Sequence, residues 1–280
     1  MAHARLTQPD WLARVPDLVG ECAGAWGLRL DDPYPLGAAG YAQRVELADG
    51  TPAVLKLIYP DRETTHEAAA LELLDGDGAV RLLDYDAERR AMLLERCEPG
   101  TPLSAVGGEA ALDVLVELLP RTWKPAGEPF MPLADEAAWW AETLPAQWER
   151  LGRRFERRLL DAALAFLREL APTQGEQVLV QQDLHGDNVL AAAREPWLLI
   201  DPKPLVGERE FAVAPIVRSV ELGHGRGHVL HRLDRLTAEL GLDRERALGW
   251  TVGQTIAWAA DNGGYIETHL ETARWLMEVA

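Results

Sequence analysis

Cysteine is almost missing from this chain of 280 residues, which carries only Cys22 and Cys97. The pair stand far apart and match no metal or redox spacing, so a disulfide framework is excluded and a reducing, cytoplasmic setting is expected. Long apolar runs are missing as well. No stretch approaches the roughly 18 residues of a membrane span, and the opening MAHARLTQPDWLARV has no signal-peptide core. A complete, membrane-free cytosolic protein is expected, and a monomer. Basic charge is scarce too: 28 Lys and Arg stand against 45 Asp and Glu, a formal net charge of -17. That field repels nucleic-acid phosphates and anionic surfaces and favours cationic small ligands. Lysine is the scarcest of all, present only as Lys56, Lys124 and Lys203. A GC-rich coding bias explains the preference for arginine, and it leaves each retained lysine worth inspection.

What is present reads as an ordinary folded chain. Hydrophobic residues make up 48%, and 24 Gly and 18 Pro are scattered rather than clustered, so a full core can be buried. Leu12, Val15, Leu18, Val19, Cys22 and Trp26 recur at helical spacing over 9–27. YAQRVELADGTPAVLKLIY holds two apolar runs around Asp49-Gly50, a hairpin signal that puts Lys56 on the second strand. A helix over DRETTHEAAALELL, closed by Gly76 and Gly78, and two strands in AVRLLDYD and RAMLLERC follow. The order through residue 97 is therefore helix, strand, strand, helix, strand, strand. After Glu98-Pro99-Gly100 the texture turns helical, over about 109–122, 134–170, 210–221, 228–240, 243–260 and 265–279. One compact β-rich stretch, VLVQQDLHGDNVLAAAREPWLLIDPK, interrupts these helices, with polar loops between its apolar runs.

Reactive side chains concentrate in QQDLHGDNVL, where Asp183, His185, Asp187 and Asn188 lie within six positions, and Asp201 follows at the end of an apolar run. One carboxylate able to accept a hydroxyl proton, with an Asn and a second Asp as oxygen ligands, suits Mg²⁺ rather than zinc. Phosphoryl transfer needs that combination, together with a lysine on an early strand for the phosphates and a carboxylate on the next helix to fix it. Lys56 in AVLKLI and Glu67 in THEAAALELL meet those two requirements in the right order.

The series resembles the aminoglycoside phosphotransferase group, and within it most the streptomycin 6-kinase and hydroxyurea phosphotransferase family. The likeness runs through LGAAGYAQRVELADGTPAVLKL, HEAAALELLDGDGAVRLLDYD, LLERCEPGTPL, DLHGDNVL and IDPKPLVGEREF to the Trp-rich C-terminal helices. It implies an α+β, bilobal protein-kinase-like fold. A small antiparallel β-sheet N-lobe over 1–97 would bind nucleotide, and a mainly helical C-lobe over 98–280 would carry catalysis and the substrate site. By the same resemblance Asp183 is the catalytic aspartate, Asn188 and Asp201 bind Mg²⁺, and Lys56, paired with Glu67, contacts the ATP phosphates. Backbone groups at Glu95 and Cys97 hydrogen-bond adenine, and Gly37 and Gly40 let a loop approach the phosphates. The expected acceptor is a hydroxyl on a streptomycin-type cation, with Asp261, Trp258 and Glu267 as its contacts and Asp135 and Glu136 as lesser candidates. Hydroxyurea, an amino sugar or another metabolite is the alternative acceptor, and a nucleotide-binding regulator without turnover is the alternative class.

Three features depart from the group: Gln181-Gln182 replaces His-Gly before the aspartate, no regular G-x-G-x-x-G is present, and Ala212 stands where an aspartate is usual. Plainer readings apply elsewhere. His185 is expected to satisfy backbone groups rather than act as a base, and His224, His228 and His231 to line a solvated helix face rather than bind metal. Lys203 stands open between a phosphate contact and a surface position. Trp139, Trp140 and Trp148 are expected in the core.

Overall fold

In a computed structural model, residues 9–35, 40–261 and 263–280 are described. Helix α1 (Pro9–Trp26) buries Val15, Leu18, Val19 and Cys22, the predicted stripe, against Val45, Ala53, Leu55, Leu57, Ala91 and Leu93. Those partners belong to an antiparallel sheet of β1 (Arg29–Pro33), β2 (Gly40–Glu46), β3 (Pro52–Ile58), β4 (Leu82–Asp86) and β5 (Ala91–Glu95), in the order β1-β2-β3-β5-β4. Strand β1 escaped sequence reading because all five of its residues, RLDDP, are exposed and carry no alternation. The β2–β3 turn forms where expected, with Gly50 at φ 87 and the Asp49 carboxylate accepting the Thr51 N–H at 2.9 Å. Helix α2 (Glu67–Leu74) ends at Asp75, which takes the left-handed conformation.

The chain continues through α3 (Gly108–Thr122), α4 (Leu133–Arg150), α5 (Arg157–Leu170), β6 (Gln177–Gln181), β7 (Val189–Ala191) and β8 (Trp197–Leu199). It closes with β9 (Pro204–Glu208), α6 (Ala214–Val217), α7 (Arg226–Leu240), α8 (Arg244–Ala257), β10 (Ala260–Asp261), β11 (Gly264–Tyr265) and α9 (Glu267–Met277). The single helix expected over 134–170 is two. Gly152 at φ 79 and Arg153 at φ 55 stand between them, a backbone conformation that no α-helix continues through. The stretch 210–221 is mostly a 3₁₀ turn, Arg209–Val213, and the short α6. Strand β9 pairs antiparallel with β6, from Gln177↔Glu208 to Gln181↔Pro204, and all five of its residues are buried, so it shows no period of two.

Contacts divide the chain into two compact units, Met1–Thr101 with Leu190–Lys203, and Pro102–Val189 with Pro204–Ala280. The expected division at residue 97 treats the second lobe as continuous, whereas 190–203 group with the first unit. The reason is hydrogen bonding. Leu199 N–H donates to Gly78 at 2.9 Å and Val80 N–H to Leu199 at 3.0 Å, while Gly100 and Thr101 exchange bonds with Ala191. Arg194 adds its guanidinium to the Gly76 and Ala79 carbonyls, each at 2.8 Å.

The second unit is mainly helical, and aromatic residues fill its core. Trp140 stacks on Phe211 at 6.2 Å and Phe211 meets Trp250 edge-on at 5.7 Å. Trp148 is buried and donates to the Phe155 carbonyl at 3.1 Å, while Trp139 is half-buried.

Candidate active site

Alternation along β3 decides where Lys56 points. Ala53, Leu55 and Leu57 face α1, so Lys56 occupies the opposite face of the sheet. There its ammonium meets Glu67 Oε1, on the first turn of α2, at 2.5 Å and Asp201 Oδ1 at 2.7 Å. Asp201 lies 145 residues further along the chain. The bonds between Leu199 and Gly78 and Val80 bring it back, since they dock β8 onto the loop after α2. Asp201 itself stands at φ 53, a strained conformation for a residue with a Cβ, and such strain collects at functional positions.

Lys56 and Glu67 are both buried, with Glu67 wholly inaccessible. Burial works against the Lys56 charge, but Asp201 and Glu67 outweigh it and hold the ammonium above its usual range. Burial, reinforced by Asp201, pushes the Glu67 carboxyl up despite the opposing pull of Lys56. Lys203 is not on the surface: it is 4% exposed, with its ammonium 3.8 Å from Glu63.

Gly37 lies outside the described residues. Gly40 opens β2, and a Cβ there would fall 2.2 Å from the Leu57 carbonyl oxygen, so its missing side chain is required by the close approach of β3. At the end of β5, the Glu95 N–H is spent on the Arg81 carbonyl at 2.9 Å. Burial would raise the Glu95 carboxyl, but Arg194 and the Arg81 N–H hold it below the usual range. The Cys97 thiol is pushed up to about 11, first by burial and then by Glu95, so it is no nucleophile.

In the second unit Asp183 and His185 form a loop after β6, followed by a 3₁₀ turn, Gly186–Asn188. Asn188 donates its amide N–H to the Asp183 carbonyl at 2.8 Å, which commits the nitrogen and leaves the amide oxygen as the atom for a cation. An amide oxygen here, and a carboxylate at Asp201 in the first unit, are the hard oxygen donor types that Mg²⁺ takes alongside phosphate and water, so the donor chemistry fits the metal. Among the described residues no group of three His, Cys, Asp or Glu side chains could hold a metal without such help.

Residues that sequence reading did not single out hold this loop. Glu221 accepts the Gly186 N–H at 3.1 Å and lies 3.2 Å from His185 Nδ1. Burial opposes its charge, but His185, its own N–H and Ser219 bring its carboxyl down to about 2. Burial likewise opposes protonation of His185, and Glu221, Asp183 and Asp187 more than compensate, so its pKa is raised. Gln254, on α8, donates to the Gln182 carbonyl at 2.8 Å. The loop thus has two anchors, one at the Gln182 backbone and one at the Gly186 backbone. Ser104 donates to Asp187. Arg218 Nη2 lies 3.8 Å from Asp183 Oδ1. One signal pointed to Arg218: it closes FAVAPIV, an unbroken apolar run, and a lone charge there must be buried.

The expected acceptor contacts have different surroundings. Trp258 caps α8 with its ring beneath the Arg218 guanidinium, 4.7 Å from the centroid. Asp261 sits in the β10–β11 hairpin with a buried Oδ1 that has no hydrogen-bond partner among the described residues. Glu267 is drawn into an exposed ion pair with Arg274 at 2.7 Å. Asp135 is exposed and Glu136 buried. The histidines go separate ways, His224 to Glu271 at 2.8 Å and His231 to Glu109 at 2.9 Å, with His228 against Gly223.

Residues 32–263 match the model of the aminoglycoside/hydroxyurea antibiotic resistance kinase family. The chain is 40% identical to a hydroxyurea phosphotransferase of Kitasatospora aureofaciens over 261 residues, 91% of this chain and 76% of that one. It is also 40% identical to a streptomycin 6-kinase of Streptomyces griseus over 263 residues, 90% and 85% of the two chains. Its fold is similar to that of a choline kinase from Streptococcus pneumoniae, with a TM-score of 0.67, 13% identity and 95% and 99% of the chains covered. The aminoglycoside phosphotransferase APH(4)-Ia aligns with a TM-score of 0.64, 14% identity and 94% and 96% coverage.

Proposed function

Because the chain belongs to the aminoglycoside/hydroxyurea antibiotic resistance kinase family, and is therefore a phosphotransferase of protein-kinase-like fold, we propose that it moves the γ-phosphate of ATP to a hydroxyl of a streptomycin-type cation. The observation that carries the reading is the buried Lys56–Glu67–Asp201 cluster: a lysine held charged and immobile between two carboxylates is what phosphate recognition requires. The first unit holds the nucleotide, with Lys56 on its phosphates and the backbone at Glu95 and Cys97 on adenine. Asn188 and Asp201 are the ligands for Mg²⁺, which when bound neutralises charge on the phosphates. The second unit holds the acceptor and the base.

Asp183 accepts the hydrogen bond of the acceptor hydroxyl and takes its proton as the oxygen bonds to the γ-phosphorus and ADP leaves. The loop anchors at Gln254 and Glu221 keep that carboxylate in place. The unpartnered Asp261 oxygen supports an acceptor that brings hydrogen-bond donors, as a guanidinium does. Trp258 would meet the acceptor with its ring already against the Arg218 guanidinium, and Glu267 only on leaving Arg274. Two buried free thiols and the demand for ATP support a cytoplasmic setting.

Equal identity to a hydroxyurea phosphotransferase supports a second acceptor. The test is incubation with Mg·ATP and, in turn, streptomycin, hydroxyurea, a second aminoglycoside and an amino sugar, with ADP and phosphorylated product measured by mass spectrometry. Phosphorylated streptomycin is expected. Product from hydroxyurea alone would replace the acceptor and keep the chemistry, whereas no product from any acceptor would remove the activity itself.

A further inference from the structure

Arg218 has no role in the mechanism so far, yet it is 6% exposed and lies beside the reacting carboxylate. Gln254, Asp183 and Trp258 all lie against its guanidinium. Nη1 donates to Gln254 Oε1 at 2.8 Å, Nη2 lies 3.8 Å from Asp183 Oδ1, and the plane covers the Trp258 ring at 4.7 Å. Gln254 uses its other end to bind the Gln182 carbonyl at 2.8 Å, so one side chain on α8 fixes both the arginine and the backbone leading into Asp183.

Arg232 shows what a purely structural buried arginine looks like in the same unit. It is 2% exposed and spends its guanidinium on the carbonyls of Val217, Leu222 and Gly223. Arg218 instead faces a carboxylate. At 3.8 Å the attraction is electrostatic rather than a hydrogen bond, so it holds the aspartate without occupying the lone pair that a hydroxyl proton needs. A planar fork can meet an amide, a carboxylate and an aromatic face at once, which a lysine cannot.

We propose that Arg218 is a positioning residue for phosphoryl transfer, acting through Asp183 and held flat by Gln254 and Trp258. The inference rests on the reading of Asp183 as the base. Its test is a double-mutant cycle with Mg·ATP and streptomycin, or hydroxyurea where that is the acceptor found. Arg218→Met is expected to lower kcat about 10- to 100-fold, since a small misplacement of a reacting group costs that much, and to leave the KM for ATP unchanged. Arg218→Lys, which keeps the charge without the fork, recovers only part of the loss. In the Asp183→Asn background the same change should cost less than about 3-fold, because a residue acting through another loses its effect when that residue is removed.

Unchanged kcat in Arg218→Met, or the same factor in both backgrounds, would overturn the inference. Near-normal turnover of Asp183→Asn alone would instead overturn the reading beneath it. If Arg218→Met does not fold, Gln254→Met removes the anchor and is expected to give about a 10-fold loss in kcat that vanishes in the Asp183→Asn background. Unchanged kcat in Gln254→Met, or an equal loss in both backgrounds, would overturn the inference in the same way.

Discussion

Replacing Lys56 with methionine is the most informative single change, because it strips the cation hydrogen-bonded to Glu67 from a carboxylate that is 0% exposed. Breaking a buried pair by removing one partner costs about 3–5 kcal/mol when the orphaned charge has no escape. Glu67 has one: it can take up a proton. Burial already pushes its carboxyl above the ordinary 4.5, and without the lysine it rises further. A carboxyl kept protonated in the fold but ionised in the unfolded chain loses about 1.4 kcal/mol of stability for each pH unit above its ordinary value. The parent suffers the same loss only up to about 7, where its Glu67 ionises beside Lys56, so the gap between variant and parent is under about 1 kcal/mol at pH 6 and about 3 kcal/mol at pH 9.

The sign follows from the direction of the shift. A raised carboxyl binds more protons folded than unfolded, so stability is lost as pH rises from 4.5. Urea denaturation of Lys56→Met and the parent chain at about pH 6, 7.5 and 9 measures this. A stability gap that does not widen with pH would refute the reasoning. The variant is also expected to lose about 10²-fold or more in kcat/KM for ATP, by analogy with the removal of other charge-stabilising donors.

Asp183→Asn should lower kcat by about 10²- to 10⁴-fold, with ATP affinity unchanged by calorimetry. The raised pKa of His185 makes its pairing with Glu221 contribute stability that is fully present below the ordinary 6.5 and lost as pH rises through the higher folded value. Glu221→Gln should remove that pH dependence and about 1–2 kcal/mol at pH 6, read from denaturation curves between pH 5 and 9. Gly40→Ala sets a methyl group 2.2 Å from the Leu57 carbonyl oxygen, a clash with backbone that cannot swing aside. It should cost about 1–3 kcal/mol and lower Tm, measured by calorimetry.

Local elements were legible where burial is one-sided. The α1 stripe, the Asp49-Gly50 hairpin and Lys56 on β3 all follow from periods of 3.6 and 2. Elements buried on every side or on none left no such trace, which is why β9 and β1 went unread. The 134–170 break was hidden because Gly152-Arg153 interrupts an otherwise continuous pattern, and only the backbone angles reveal it. Charge in a sequence carries no information about which neighbour claims it, so the ion pair of Glu267 with Arg274 is legible only in the structure.

The sequence by itself determined the chemistry available: which residue types exist, in what order, on which face of which strand or helix. Lys56, Glu67, Asp183, Asn188 and Asp201 were nameable on that basis. Only the tertiary structure decided their electrostatics, because pKa and orientation depend on what lies within a few ångströms regardless of separation along the chain. Asp201 reaches Lys56 across 145 residues through the docking of β8, Lys203 is buried rather than solvated, and Glu221, Gln254 and Arg218 converge on the Asp183 loop from elements 35 to 72 residues away. No local pattern encodes such contacts, since each arises from packing between segments whose own sequences are silent about one another.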